Sequence, residues 1–128
     1  MIYSIEPTET TPKVDFNSET GNFLLTGKSF WENSDALYRP ILDWLESEYL
    51  PNPADHTKLT VQLDYFNTAT AKALLDIFKR LERIQKSGMQ VDIIWRYNEL
   101  DEDLEESGVD YQELTSLNII LEPYKGSE

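Results

Sequence analysis

Residues 59–97, LTVQLDYFNTATAKALLDIFKRLERIQKSGMQVDIIWRY, specify the central unit of the fold. Residues 59–65 are rich in strand-forming side chains, and residues 70–86 carry an apolar stripe at helical spacing. Gly88 is well placed to end that helix, and residues 91–97 form a second, largely apolar strand. A strand, a helix and a strand in this order predict two parallel strands joined by a right-handed crossover.

The residues on either side extend this unit into a mixed sheet. Residues 13–17 and 22–27 have strand character and flank a run of turn residues, which predicts a hairpin. A short extended piece is expected around residues 2–5, ahead of the hairpin. Residues 118–122 are expected to form the last strand, and residues 125–128 a free tail.

Two further helices are predicted, one before and one after the central unit. The first begins at Asn33 or Ser34, either of which can cap a helix, and continues to about Tyr49. Pro40 lacks the amide that a helix interior needs, so we expect a kink or a late start. The second helix is acidic and covers residues 101–107, with inward contacts from three leucines, Leu100, Leu104 and Leu114. The order of elements predicts an α/β fold, a two-layer sandwich with helices packed on a mixed β-sheet.

Composition indicates a single folded domain, residues 1–128. Hydrophobic residues make up 40% of the chain and charged residues 27%. The formal net charge of −13 disfavours nucleic acid and anionic membranes as partners. The chain has no cysteine, which excludes disulfides, thiolate zinc sites and cysteine nucleophiles. No signal-peptide pattern or membrane-spanning apolar run is visible, so we expect a cytoplasmic protein.

The sequence offers little to support catalysis. His56 is the only histidine and lies in the polar connection 52–57, with no nucleophile motif nearby. No glycine-rich phosphate loop is present. The acidic run that starts at Asp101 has Glu106 at its sixth position, where a calcium loop requires glycine, so a solvated helix face is expected. We therefore predict no catalytic residue, no metal and no cofactor, and an enzyme is the least favoured class.

A group of polar residues follows the first central strand, at the end where open α/β sheets place their functional crevices. A phosphoryl group on Thr68 would meet the free amides and the positive dipole end of the next helix, and its charge would alter an interface. The alternative is structural, because Asn or Thr before a helix is commonly an N-cap that contributes about 1 kcal/mol. From the residues alone, both interpretations of Asn67, Thr68 and Thr70 remain open.

Four short segments, spread over much of the chain, resemble a known family. They are ENS at residues 32–34, LDW at 42–44, LDYFNT at 63–68 and ALLDIF at 73–78. Together they resemble the SiaC family of regulatory phosphoproteins. The tripeptide at 32–34 and the Asn-Thr turn followed by Asp-Ile-Phe are the more specific parts of this resemblance.

The resemblance implies a STAS-like fold, similar to that of anti-anti-sigma factors, and a partner switch. It implies that a protein kinase phosphorylates the turn threonine and that a PP2C-type phosphatase reverses the reaction. In such systems the unphosphorylated form binds and activates a diguanylate cyclase, which links the switch to cyclic di-GMP and biofilm formation. Thr68 occupies the matching position. Ala69 stands where a second hydroxyl residue can follow, which leaves Thr70 as the alternative acceptor.

The resemblance also suggests which residues contact a partner. Glu32, Asn33 and Ser34 are expected on the same surface as the turn, where Asn67 and Ala69 flank the threonine. Asn33 or Ser34 is equally well explained as a helix cap. The second hypothesis is a constitutive protein-binding module of the same fold, in which Thr68 serves only as a cap.

Overall fold

The computed structural model describes residues 2–126, and two residues of the expected tail, 127 and 128, lie outside that range. The strands of the described chain form one sheet in which sequence neighbours are also spatial neighbours. Their bounds are β1 Ile2–Ile5, β2 Lys13–Asn17, β3 Asn22–Ser29, β4 His56–Phe66, β5 Gln90–Asn98 and β6 Asn118–Tyr124.

The sheet is mixed, as the sequence predicts. β1 pairs with β2 and β2 pairs with β3 in antiparallel fashion, which confirms the hairpin. β3, β4, β5 and β6 then follow one another in parallel. The carboxyl ends of these four parallel strands meet at one edge of the molecule, and the candidate site lies at that edge.

Each parallel connection contains a helix. These helices are α1 Ser34–Trp44, α2 Thr68–Lys86 and α3 Glu102–Leu114, and α1 continues into a π-helical turn, Leu45–Tyr49. Right-handed crossovers between adjacent parallel strands place all such helices on the same face of the sheet. The strands bury mainly the face beneath the helices: in β4 the buried side chains alternate, namely Thr57, Leu59, Val61 and Leu63. On the opposite face, Ile94 of β5 is also buried. The α/β fold with two layers is therefore confirmed. Within residues 2–126, no helix is both long and apolar enough to cross a membrane.

Helix α3 docks on the sheet through Trp95. The indole Nε1 of Trp95 donates a hydrogen bond of 2.8 Å to the carbonyl oxygen of Leu104, and its ring packs against Tyr111 with centroids 5.4 Å apart. Gly108 lies between these contacts, and a Cβ added there would come within 2.6 Å of both Trp95 and Leu121. The close approach of helix and sheet therefore depends on the absence of a side chain at residue 108.

Two predictions about helix α3 are wrong. Leu100 and Leu114, expected to face inward, are 73% and 53% exposed. The inward residues are Leu104, Gly108 and Tyr111, which follow one another at intervals of four and three residues. Leu114 lies ten residues after Leu104, which turns it about 80° away from this face at 100° per residue.

Two smaller expectations also need correction. Of the kink or late start expected from Pro40, the late start is wrong, because helix α1 begins at Ser34 and continues through Pro40. Its buried residues, Leu37 and Ile41 among them, flank the proline, so packing outweighs the lost hydrogen bond. His56 belongs to β4 rather than to the preceding connection, and its Nε2 lies 2.8 Å from Asp92 Oδ2 on β5.

Candidate functional site

The turn between β4 and α2 is fixed by Asn67. Its side-chain Oδ1 accepts a hydrogen bond of 2.9 Å from the amide of Thr70, and its carbonyl oxygen accepts one of 3.0 Å from the amide of Ala71. The Asn67 amide donates to the carbonyl oxygen of Ser29 at 3.1 Å, which ties the turn to the end of β3. Asn67 is therefore the N-cap of α2.

Thr68 is the first residue of α2, and its side chain is exposed. Within residues 2–126 its hydroxyl forms no hydrogen bond, because Asn67 provides the cap. The interpretation of Thr68 as a helix cap is therefore wrong. Its hydroxyl is available to a partner or an enzyme, and the turn that presents it is held by hydrogen bonds to β3.

Thr70 has the opposite environment. Its side chain is 1% exposed, and its Oγ1 donates to the carbonyl oxygen of Ser29 at 3.0 Å. The same Oγ1 lies 2.8 Å from Ser29 Oγ, which in turn lies 2.8 Å from the Tyr38 hydroxyl. Burial raises the pKa of Tyr38 to about 12, although its hydrogen-bonded neighbours oppose the shift. This chain of hydroxyl groups joins β3, α1 and α2 directly beneath the Thr68 turn.

Thr68 lies at the rim of a groove of about 350 Å³ between α2 and α3. The walls are mainly apolar and include Phe66, Leu75, Tyr111 and Leu114. The Tyr111 hydroxyl donates to the carbonyl oxygen of Ala71 at 2.8 Å, which fixes α3 against the first turn of α2. Burial raises the pKa of Tyr111, so this hydroxyl stays protonated and remains a donor.

A second, smaller groove of about 200 Å³ runs between α1 and α2 and brings Ser34 together with Ala69. Asn33 caps α1, because its Oδ1 accepts a hydrogen bond of 3.2 Å from the amide of Ala36. Ser34 is buried at the first helical position, and Glu32 is exposed just ahead of the cap. The structure therefore places Ser34 and Ala69 in one groove beside the threonine, whereas the side chain of Asn33 serves the helix.

An exposed aromatic cluster at the same edge was not anticipated from the sequence. Phe30 and Trp31 follow β3, and Tyr65 lies near the end of β4 with 57% of its surface exposed. The rings of Phe30 and Tyr65 meet edge to face with centroids 5.6 Å apart. The available signal was the Phe-Trp pair directly after a strand, where turn residues are more usual.

The acidic run at the start of α3 caps and stabilises the N-terminal end of this helix. Asp101 Oδ1 accepts a hydrogen bond of 3.0 Å from the amide of Leu104, and further carboxylates in the first turn complement the helix dipole. Among the residues that the structure describes, no group of three or more His, Cys, Asp and Glu side chains is arranged to hold a metal ion.

The fold and the site define a class of protein: a two-layer α/β domain that presents an unbonded threonine hydroxyl beside an apolar groove. A family model described as SiaC family regulatory phosphoprotein matches residues 5–124. The chain therefore belongs to the SiaC family of regulatory phosphoproteins, and the resemblance noted in its sequence is confirmed.

Individual relatives agree with this assignment. An uncharacterised protein of Pseudomonas aeruginosa (strain UCBPP-PA14) is 28% identical over 120 residues, which cover 94% of each chain. The crystal structure of apo-SiaC from Pseudomonas aeruginosa is 27% identical, with a TM-score of 0.86 over 95% of this chain and 98% of that one. The SiaC chain in a crystal structure of the diguanylate cyclase SiaD in complex with its activator SiaC is 26% identical. That match has a TM-score of 0.84 over 95% of this chain and 99% of the other.

Proposed function

We propose that this chain is a non-catalytic regulator that changes partners through reversible phosphorylation of Thr68. A protein kinase adds the phosphoryl group, and a PP2C-type phosphatase removes it. The observation that carries the proposal is the exposed Thr68 hydroxyl, which bonds to no other group of residues 2–126, whereas the neighbouring side chains of Asn67 and Thr70 are both hydrogen-bonded. Membership of a family of regulatory phosphoproteins supports the same conclusion.

The environment of the turn favours Thr68 over Thr70 as the acceptor. A kinase must bring its nucleotide phosphate in line with the attacking hydroxyl, so the hydroxyl must be accessible. Thr68 is exposed, whereas Thr70 is buried and donates to Ser29. Phosphorylation of Thr70 would require the first turn of α2 to separate from β3.

The groove beside Thr68 supplies a physical basis for switching. A phosphothreonine carries between one and a half and two negative charges at neutral pH, at the rim of a groove with apolar walls. An apolar partner element that covers the rim would have to desolvate this charge, which costs binding free energy. Phosphorylation should therefore release a partner that binds the unmodified protein.

A diguanylate cyclase is the proposed partner of the unphosphorylated form. The structurally similar SiaC of Pseudomonas aeruginosa is an activator found in complex with the diguanylate cyclase SiaD, and that chain aligns with almost all of this one. By this analogy, the output of the switch is synthesis of cyclic di-GMP and control of biofilm formation.

The first experiment is peptide mass spectrometry of the protein from its native cells, with phosphatase inhibitors present. We expect one phosphoryl group on Thr68, and its absence across growth conditions would contradict the switch. Binding to the cognate diguanylate cyclase should then be strong for Thr68→Ala and weak for Thr68→Asp. Thr20→Asp is the matched control, because it adds the same charge at the exposed β2–β3 turn. Equal binding by Thr68→Ala and Thr68→Asp would favour a constitutive binding module.

A further inference from the structure

Helix α2 carries a cation one turn after Thr68 that is paired with no carboxylate of residues 2–126. Residues four apart in a helix lie on the same face, with Cβ atoms about 6 Å apart. Lys72 stands in this relation to Thr68, and both residues line the groove between α2 and α3. Among the residues that line this groove, Lys72 is the single cation, and Asp110 lies on the α3 side. Lys72 also lines the groove between α1 and α2, where Asp35 and Asp76 are its acidic neighbours.

Most other cations on helices α1 and α2 are in ion pairs. Arg39 pairs with Asp35, Lys79 pairs with Glu82, and both arginines at 80 and 83 pair with a glutamate of the π-helical turn. Within residues 2–126 no carboxylate lies within ion-pairing distance of Lys72, although the chain has 24 acidic residues. Lys86, at the far end of α2, is the other helix lysine without such a partner.

We propose that Lys72 is the positioning residue for the phosphoryl group of phosphorylated Thr68, and this inference rests on the proposed function. An anion four residues before a cation is the favourable order of an ion pair in a helix, and a phosphoryl group on the first helical residue also faces the positive end of the helix dipole. The ammonium holds the phosphoryl oxygens over the first turn of α2, close to the rim of the groove. Phosphorylation consequently adds a dianion to the groove and engages the single cation that lines it.

Direct incorporation of phosphothreonine at residue 68 during expression of the full chain tests this pairing without the kinase or any partner. Titration followed by ³¹P NMR gives the second pKa of the phosphoryl group, which lies near 6 when the group is unpaired. In Lys72→Gln this pKa should rise by about 0.5 unit relative to the parent phosphoprotein, because the monoanion no longer loses its proton beside a cation. The difference should shrink in 1 M salt.

Lys86→Gln is the matched control, since it removes the same charge from the same helix at its opposite end. It should leave the phosphoryl pKa unchanged. The pairing is overturned if Lys72→Gln leaves the pKa unchanged as well, or if both variants shift it equally. These outcomes do not bear on whether cells phosphorylate Thr68, so failure of this inference is distinguishable from failure of the proposed function.

Discussion

The side chains of Asn67 and Thr68 are adjacent at the start of α2, and the helix uses only the first of them. Asn67 bonds the amide of Thr70 and anchors the turn to Ser29, whereas the Thr68 hydroxyl projects from a position that the cap has already satisfied. A modification at residue 68 can therefore change the surface of the protein without dismantling the helix end that presents it.

Because only Asn67 caps the helix, truncating Asn67 and truncating Thr68 to alanine should reduce the free energy of unfolding by different amounts. Asn67→Ala removes the cap and should lower the free energy of unfolding by about 1 kcal/mol. Thr68→Ala removes no hydrogen bond and introduces a better helix former, so its effect should stay within about 0.5 kcal/mol. Urea denaturation of both variants measures the difference. A loss for Thr68→Ala as large as that for Asn67→Ala would mean that the threonine does support the helix.

The buried hydroxyl chain beneath the turn leads to a second prediction. Thr70→Val keeps the shape of the side chain but removes the donor to the carbonyl of Ser29, and it should cost about 1 to 2 kcal/mol. Thr70→Ser keeps the hydroxyl and should cost less. Thermal unfolding of both variants gives the comparison. Equal stability of Thr70→Val and the parent protein would show that the chain of hydroxyl groups contributes nothing to the fold.

At the scale of elements, the sequence predicts most strands and helices because their periodicities differ. Apolar residues alternate in β4, which indicates a strand, and recur at helical spacing in α2, which indicates a helix. The order of strand, helix and strand then predicts that β4 and β5 pair in parallel. Helix α2 begins at Thr68, two residues before the predicted range of 70–86, and from the sequence alone Asn67 and Thr68 are both acceptable caps. Only the hydrogen bond to Thr70 distinguishes them.

The walls of the candidate site were less predictable than its position. The carboxyl end of β4 places Thr68 at the functional edge of the sheet, which follows from fold class alone. The groove, in contrast, depends on how α3 is rotated about its axis against α2. The predicted inward face of α3 was wrong, because Leu100 and Leu114 are exposed. The rotation is set by Gly108 and Tyr111, which pack against Trp95 and are not recognisable as core residues from spacing in an acidic segment.

Gly108 provides a test of this docking. In an exposed helix Gly→Ala is stabilising by up to about 1 kcal/mol, but a Cβ at residue 108 would approach Trp95 and Leu121 within 2.6 Å. Gly108→Ala should therefore destabilise the protein by about 1 to 3 kcal/mol. It should also weaken binding at the groove, because α3 must move outward. Glu106→Ala, at an exposed site of the same helix, is the control and should be nearly neutral. Stabilisation by Gly108→Ala would show that α3 is not held against the sheet as described.

At the scale of the whole molecule, the helices cover one face of the sheet and the other face carries polar cross-strand pairs. Arg96 Nε lies 2.7 Å from Glu122 Oε1, and Arg96 also donates to Gln62 at 2.6 Å. Asp92 accepts from Asn118 at 2.9 Å and contacts His56. The bond from Asn118 is the main reason that the pKa of Asp92 lies below its usual value. Polar pairs therefore occupy much of this face, which parallel sheets usually cover with a second layer of helices. The apolar pair Ile94 and Ile120 lies between them, with 9% and 41% of the two residues exposed.

With a net charge of −13, protonation of the exposed carboxylates relieves repulsion and should raise the free energy of unfolding. Protonation of one buried carboxylate, Glu82, should lower it. Burial of Glu82 acts to raise its pKa, yet hydrogen bonds from the amide and hydroxyl of Ser116 and from Lys79 outweigh it and hold the pKa below 4.5. Ionised Glu82 therefore stabilises the fold above about pH 4.5, and this contribution is lost as the pH falls through its folded-state pKa.

Glu82→Gln should accordingly lower the free energy of unfolding by about 1.5 to 3 kcal/mol at pH 7, because a charge-assisted bond to Ser116 becomes a neutral one. The difference in free energy of unfolding between Glu82→Gln and the parent should become smaller below pH 4.5, because Glu82 of the parent is protonated there as the pH falls. Denaturant titrations at pH 7 and pH 3.5 measure both values. Glu113→Gln, an exposed site on α3, makes the same charge change and corrects for the relief of general repulsion on acidification. If the difference in free energy of unfolding between the parent and Glu82→Gln is the same at both pH values, the carboxylate charge does not hold α2 to the segment before β6.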